Sequence, residues 1–160
     1  MTKQLIVNAD DYGRTASVSA GIRQAHLRGI VTTTTAMMNM SSVGNDIRLA
    51  LAECPRLGLG VHLVLTAGRP VLPSERVPSL AASDGSFYKL PQMIAILQKL
   101  NPAELRAEWR AQIEKFLRTG AMLDHLDSHH HAINVHANVV VKPRSAAVAL
   151  RQGHRQQCNC

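Results

Sequence analysis

The chain has 160 residues, of which 46% are apolar and 18% are charged, a composition typical of a soluble globular protein with one domain. No apolar run approaches the ~20 residues that span a bilayer, and the N-terminal residues lack the pattern of a signal peptide. The three cysteines, Cys54, Cys158 and Cys160, do not form an even disulfide framework and suit a reducing compartment. We therefore predict a cytoplasmic protein that does not associate with membranes.

The net charge of +7 is concentrated toward the C-terminal end of the chain. Residues 1–127 contain 14 basic and 11 acidic side chains, whereas residues 128–160 contain four basic side chains and no acidic one. The pattern is not the basic helical stripe with interleaved aromatic residues that is typical of nucleic-acid-binding proteins. The charge favours a solvated basic tail, so nucleic-acid binding through that tail is only a lesser alternative.

Strand-like and helix-like patterns alternate in the first 65 residues. Apolar runs rich in Val, Ile, Leu and Thr predict buried strands, and apolar residues at helical spacing predict helices between them. Thr15 or Ser17 is suited to cap the first helix, and Gly29 to end it. The predicted elements are, in order, a strand over Gln4–Ala9, a helix from about Ser17 to Arg28, a strand over Ile30–Met38, a helix over Val43–Glu53 and a strand over Leu57–Leu65.

The second part of the chain begins with a long segment, residues 66–90, in which glycine and proline predict a loop. A short helix near Pro91–Leu100 precedes the clearest helix of the chain. Asn101 is suited to cap that helix, Pro102 to its first turn and Glu104 to a capping box, and Gly120 ends it. Its predicted apolar face comprises Leu105, Trp109, Ile113, Phe116 and Leu117, and a fourth strand is predicted over Met122–Ser128.

This alternation predicts an α/β fold in which crossover helices join parallel strands. Polar residues follow or end the first, third and fourth predicted strands. Because parallel α/β proteins build their sites at the C-terminal edge of the sheet, we expect these residues to lie together there.

Two aspartates end the first predicted strand, and a histidine lies within the third. Asp10 and Asp11 are adjacent, and paired carboxylates repel unless a cation or a proton lies beside one of them. They are also typical of a simple turn. His62 lies in an apolar strand, where a hydrogen-bonded core histidine is the commoner interpretation, and a ligand role requires partners.

The richest run of ionisable residues is His125-Leu126-Asp127-Ser128-His129-His130-His131. Because side chains alternate between the faces of a strand, His125, Asp127, His129 and His131 are predicted to share one face. One aspartate and two histidines, drawn from this run and the earlier strands, would give a metal three protein ligands and leave positions open for water and substrate. Such a site, with a second carboxylate as base, suits the hydrolysis of an amide or an ester.

Four sequence blocks resemble the YdjC-like carbohydrate deacetylases, which include chitooligosaccharide deacetylases. The blocks are Leu5-Ile6-Val7-Asn8-Ala9-Asp10-Asp11-Tyr12-Gly13, the segment 29–35 (GIVTTTT), the segment 60–70 (GVHLVLTAGRP) and His125–His131. The resemblance implies an incomplete (β/α) barrel and removal of N-acetyl groups from small sugars that contain N-acetylglucosamine. It covers roughly residues 4–131.

The resemblance also implies roles for individual residues. It implies one divalent metal ion, held by Asp11, His62 and His129, with Asp10 as general base. The family is associated with Mg²⁺, whereas two imidazole ligands favour Zn²⁺ on grounds of ligand softness. Weaker expectations concern residues that would orient the ligands or face the sugar: His125, Asp127, His131 and Arg69.

After His131 the sequence departs from the family pattern, so we predict an N-terminal deacetylase part at residues 1–131 and a divergent basic tail at 132–160. We expect a truncation or a frameshift near this point, which the DNA sequence would test. The alternative to an active enzyme is a non-catalytic remnant that binds a metal or a partner. Unpaired strand edges would also favour a homo-oligomer.

Overall fold

The computed structural model describes residues 5–130, in which strands and helices alternate as predicted. Within that range, no helix has the length and apolar character needed to cross a bilayer. The strands are β1 (Asn8–Tyr12), β2 (Thr33–Ala36), β3 (Gly58–Leu63) and β4 (Leu126–Ser128). The helices are α1 (Ala16–Arg28), α2 (Val43–Glu53), α3 (Leu90–Ala95) and α4 (Pro102–Leu117), with short 3-10 turns at Ser74–Arg76 and Leu97–Lys99.

The four strands form one parallel sheet in the order β1-β2-β3-β4, which confirms the predicted α/β class. Each connection between neighbouring strands includes a helix, as parallel pairing requires. Strand β2 pairs with β3 without interruption, from Thr33 opposite Gly58 to Ala36 opposite Val61. The C-terminal ends of all four strands therefore meet at one edge.

The two faces of the sheet differ in chemistry. Leu59, Val61 and Leu63 of β3 belong to the apolar core, which the helices cover. The alternate residues of the strands carry polar side chains on the other face, because successive side chains of a strand point in opposite directions. These polar residues, which contact one another, are Asn8, Asp10, Thr33, Thr35, His62, His125 and Asp127.

The helix predictions hold closely, with two corrections in α4. The Val18 backbone N–H donates to Thr15 Oγ1 at 3.2 Å, so Thr15 caps α1, and Ala103 N–H donates to Asn101 Oδ1 at 2.9 Å, which caps α4. The predicted capping box at Glu104 is wrong, because its Oε2 accepts instead from the Ser79 backbone N–H at 2.8 Å. Leu117 is 42% exposed and does not share the buried face of the other predicted apolar residues.

The observed strand bounds differ more from the prediction than the helix bounds do. The first strand begins at Asn8 rather than Gln4, and Leu5 and Ile6 are 79% and 72% exposed, contrary to the buried strand predicted there. Strands β2, β3 and β4 are shorter than predicted. Residues such as Met37 and Val64 are fully buried outside the ladders, so an apolar run does not mark where strand pairing stops.

The long segment between β3 and α3 is packed against the domain. Val77 and Leu80 are fully buried within it, and Phe87 is 1% exposed. Glu108 of α4 accepts hydrogen bonds from the backbone N–H groups of Val71 and Leu72 at 2.8 and 3.0 Å. The predicted loop is therefore an ordered structure that α4 holds beside the C-terminal edge of the sheet.

Candidate metal centre

A bulge in β1 determines the directions of its two aspartates. Ala9 pairs with Thr34 and Tyr12 with Ala36, so β1 contains one more residue than β2 between these two pairs. Asp11 has a φ of +66°, in the left-handed region that aspartate tolerates better than most residues. A bulge of this kind re-aims a side chain, and here it turns Asp11 toward the end of β3.

The residue after the bulge anchors it to the helices. Tyr12 is fully buried, and its hydroxyl donates to the Asp46 carbonyl oxygen at 2.6 Å. Arg23 Nη1 donates to the same hydroxyl at 3.1 Å. Burial raises the pKa of Tyr12, so the hydroxyl keeps the proton that it donates. These contacts fix the strand on the apolar side while Asp11 faces the opposite side.

Strand β3 and the turn after β4 bring two histidines to Asp11. His62 is 3% exposed, and its Nε2 lies 3.3 Å from Asp11 Oδ1. His129 is 6% exposed, and its Nδ1 lies 3.1 Å from Asp11 Oδ1 and 3.3 Å from His62 Nε2. The three atoms form a nearly equilateral triangle.

This triangle fits a divalent metal ion. Ligand atoms about 2.0–2.2 Å from one ion lie roughly 3–3.5 Å from each other, which matches the three edges. Asp11 Oδ1 is buried and has no hydrogen-bond partner, so its lone pairs remain available. Arg14 Nη1 donates to the other carboxylate oxygen, Oδ2, at 2.7 Å. The donor set of Asp11, His62 and His129 could therefore hold a metal ion.

The electrostatic state of the histidines also suits a cation. Burial lowers the pKa of His62 below its usual 6.5, against the opposing effect of Asp10, Asp11 and Asp127. Burial likewise lowers the pKa of His129. Both shifts favour the neutral ring at pH 7, and only a neutral imidazole offers a lone pair to a metal.

His129 was predicted to share a strand face with His125 and Asp127, but strand alternation does not determine its position. Strand β4 ends at Ser128, and His129 and His130 form a helical turn in which His130 has a φ of +55°. The His130 ring lies beside the His129 ring, with 3.9 Å between centroids, rather than on the opposite face. Thr66 Oγ1 lies 2.9 Å from His130 Nδ1 and connects the turn to the segment that follows β3.

The other predicted residues occupy different positions. Asp127 pairs in register with His62 and groups with it and Asp10. His125 lies one layer deeper on the same face, with Nε2 3.1 Å from Asn8 Oδ1 and 3.2 Å from Thr33 Oγ1. The Arg69 guanidinium packs against Gly85 in the long loop. His131 lies outside the described residues, so its predicted role stays a prediction.

Asp10 lies at the open side of the site, as a base would require. Its side chain is exposed, and its Oδ1 accepts from Asn8 Nδ2 and, at 3.2 Å, from Thr35 Oγ1. No role for Thr35 followed from the sequence, because threonine is common in strands. Four consecutive threonines, residues 32–35, were the available signal.

Comparisons with known proteins extend over most of the chain. The sequence model of the family described as "YdjC-like protein" matches residues 4–156. A carbohydrate deacetylase from Brevibacillus brevis is 44% identical over 141 residues, which are 88% of this chain and 53% of that protein. A chitooligosaccharide deacetylase from Proteus mirabilis is 40% identical over 132 residues, 82% of this chain and 50% of that protein.

A solved structure shares the fold. A crystal structure from Enterococcus faecalis V583, described as a candidate cellobiose-phosphate cleavage protein, has a TM-score of 0.77 and 42% sequence identity. The alignment covers 82% of this chain and 50% of that chain.

The chain spans about half the length of the curated relatives it matches. The family match reaches residue 156, within the segment predicted as a divergent tail, and the boundary at residue 131 stays a prediction. Because the family model matches nearly the whole sequence and the fold agrees with a solved structure, the chain belongs to the YdjC-like protein family.

Proposed function

We propose that this protein acts in the metal-dependent removal of N-acetyl groups from small sugars that contain N-acetylglucosamine, such as chitooligosaccharides. One observation carries the proposal: the buried, unpartnered Asp11 Oδ1 lies 3.1 Å and 3.3 Å from nitrogen atoms of two buried histidines. The names of the relatives, carbohydrate deacetylase and chitooligosaccharide deacetylase, support the substrate class.

The side chains suit the chemistry of amide hydrolysis. A divalent ion at such a site lowers the pKa of bound water and polarises an amide carbonyl. Asp11, His62 and His129 would hold the ion. Asp10 takes the role of general base, because its carboxylate is exposed beside the site and Asn8 and Thr35 hold it in one orientation.

The metal is either Mg²⁺ or Zn²⁺. Family resemblance favours Mg²⁺, which usually binds through oxygen ligands and retains several waters. The donor set of two imidazole nitrogens and one carboxylate oxygen is one that catalytic zinc sites use. Titration of the metal-free chain with each ion separately distinguishes the two.

The test is acetate release from N-acetylated chitooligosaccharides by the 160-residue chain loaded with Zn²⁺ or Mg²⁺. We expect release that chelation abolishes and that Asp10→Asn lowers about 100-fold or more, since a general base contributes at least that much. Asp10→Asn should retain most metal affinity, because Asp10 lies outside the ligand triangle. Absence of release from a folded, metal-loaded chain would contradict deacetylase activity for this chain.

A second candidate is a non-catalytic protein that binds metal. It is supported by the donor set alone, because Asp11, His62 and His129 could hold a metal ion whether or not hydrolysis follows. It predicts metal binding that depends on His62 and His129 without acetate release. A role of Arg69 toward the sugar, self-association and a cytoplasmic location stay predictions. Nucleic-acid binding predicts salt-dependent affinity that deletion of residues 132–160 removes.

A further inference from the structure

Thr35 lies at the centre of the polar face and contacts both functional parts of the site. It is fully buried on β2, between the strands that carry Asp10 and His62. Its Oγ1 lies 3.2 Å from Asp10 Oδ1 and 3.2 Å from His62 Nδ1. Asn8 Nδ2 lies 3.5 Å from the same oxygen. One hydroxyl therefore connects the candidate base to a candidate metal ligand.

The chemistry of the partners fixes the direction of these hydrogen bonds. An ionised carboxylate only accepts, so the Thr35 hydroxyl donates its one proton to Asp10 Oδ1. The remaining lone pairs of Thr35 then face His62, which must donate from Nδ1. A neutral imidazole has a single ring proton, so His62 Nε2, the nitrogen beside Asp11, is left with a free lone pair.

We propose that Thr35 is a positioning residue for the metal centre: its hydroxyl holds His62 in the tautomer that presents a bare Nε2 to the ion, and at the same time it orients Asp10. This inference rests on the proposed metal centre. It extends that proposal to a residue that touches neither the ion nor the substrate. The hydrogen bond to the second ring nitrogen is what sets the tautomer and the orientation of a ligating histidine.

The neighbouring threonines separate this role from general effects of burying a hydroxyl. Thr34 is also fully buried, but it is on the opposite face of β2, where its Oγ1 donates to the Ala9 carbonyl oxygen. Thr34→Val therefore removes a buried hydroxyl hydrogen bond on the same strand without touching His62 or Asp10. It is the matched control for Thr35→Val, and Thr35→Ser restores the hydroxyl.

The first measurement is calorimetric titration of the metal-free, 160-residue chain with Zn²⁺ and with Mg²⁺. We expect Thr35→Val to weaken the affinity for the bound ion about 10- to 100-fold, the usual effect of removing an outer-shell partner of a metal ligand. Thr35→Ser should stay within about threefold of the wild type, and so should Thr34→Val. Equal affinity of Thr35→Val and wild type, or an equal loss in Thr34→Val, overturns the inference.

The second measurement needs no metal and keeps the inference testable if neither ion binds. NMR shifts of the His62 ring at pH 7.5 in the metal-free chain report which nitrogen carries the proton. We expect the Nδ1–H tautomer in wild type, Thr35→Ser and Thr34→Val, and a shift toward Nε2–H in Thr35→Val. A wild-type ring protonated at Nε2 overturns the inference, whereas failure of the wild type to bind Zn²⁺ or Mg²⁺ overturns the proposed function.

Discussion

At the scale of single residues, Asp11 combines two features that are unfavourable on their own. Its backbone has a φ of +66°, in the left-handed region that costs most non-glycine residues roughly 1–2 kcal/mol and aspartate less. Its buried Oδ1 has no hydrogen-bond partner, although Arg14 pairs with Oδ2. A bound cation would satisfy that oxygen, so both features are consistent with a residue positioned for ligation rather than for stability.

The variant Asp11→Asn therefore separates the effect of Asp11 on metal affinity from its effect on the stability of the fold. Asparagine tolerates the left-handed backbone nearly as well, so we expect the free energy of unfolding in the presence of chelator to change by less than about 1 kcal/mol. Metal affinity should fall more than about 100-fold, since even outer-shell changes cost 10- to 100-fold. Urea unfolding and calorimetric titration measure the two quantities.

The matched variant Asp11→Ala should lose the same affinity and, in addition, about 1–2 kcal/mol of stability, because alanine disfavours the left-handed region. Metal affinity in Asp11→Asn equal to that of the wild type would show that Asp11 is not a ligand.

At the scale of elements, α4 is more than an amphipathic helix packed on the sheet. The fully buried Gln112 bonds both backbone groups of Val64, with Val64 N–H donating to Oε1 at 2.9 Å and Nε2 donating to the Val64 oxygen at 2.8 Å. The fully buried Glu108 accepts from the Val71 and Leu72 backbone N–H groups and from Gln112 Nε2. The helix thereby holds the chain two residues after His62 and the start of the long loop.

Replacement of Glu108 should destabilise the protein through these backbone groups. Glu108→Ala leaves two partly buried backbone N–H donors and the buried Gln112 Nε2 without their acceptor, so we expect a loss of about 2–5 kcal/mol in the free energy of unfolding. Glu108→Gln, which presents an N–H₂ group to one of these donors, should lose about 1–3 kcal/mol. The exposed Glu114 on the same helix provides the control, since Glu114→Ala should change stability by less than about 0.5 kcal/mol. Urea unfolding that shows equal effects at both positions would contradict the role of Glu108.

At the scale of the whole molecule, the candidate site exists only when the sheet is assembled. Asp11 comes from β1, His62 from β3 and His129 from the turn after β4, and Thr35 on β2 contacts His62. The same assembly buries two imidazoles at the polar face. The site therefore affects the pH dependence of global stability as well as metal binding.

We expect the stability of the metal-free protein to decrease as the pH falls through 6.5. The pKa values of His62 and His129 are lowered in the folded protein, so below 6.5 the unfolded chain binds protons that the folded protein resists. Above about pH 7.5 both rings are neutral in both states and contribute no slope. Urea unfolding at a series of pH values measures the effect. A variant with both histidines replaced by glutamine should show a smaller decrease, and an unchanged slope would contradict this origin.

The helix bounds, the fold class and the family could be predicted from local sequence patterns. The bounds of α2 agree with the prediction, and α1 and α4 begin within one residue of it, because caps and helical periodicity are properties of neighbouring residues. The α/β class followed from the alternation of elements, and the family from the four sequence blocks. Asp11, His62 and His129 were named from that resemblance, and Asp10 was assigned a role distinct from theirs.

The tertiary structure alone decided how those residues meet. The bulge that turns Asp11 depends on pairing with β2, and the turn that places His129 replaces the strand alternation expected for it. The roles of Thr35 and Glu108 depend on partners 27 and 36–37 residues away, which no local period encodes. The sequence by itself determined which donors are present and which elements carry them. Three of these donors lie 3.1–3.3 Å from one another because of the register between strands. That register depends on pairing between segments that are distant in the sequence.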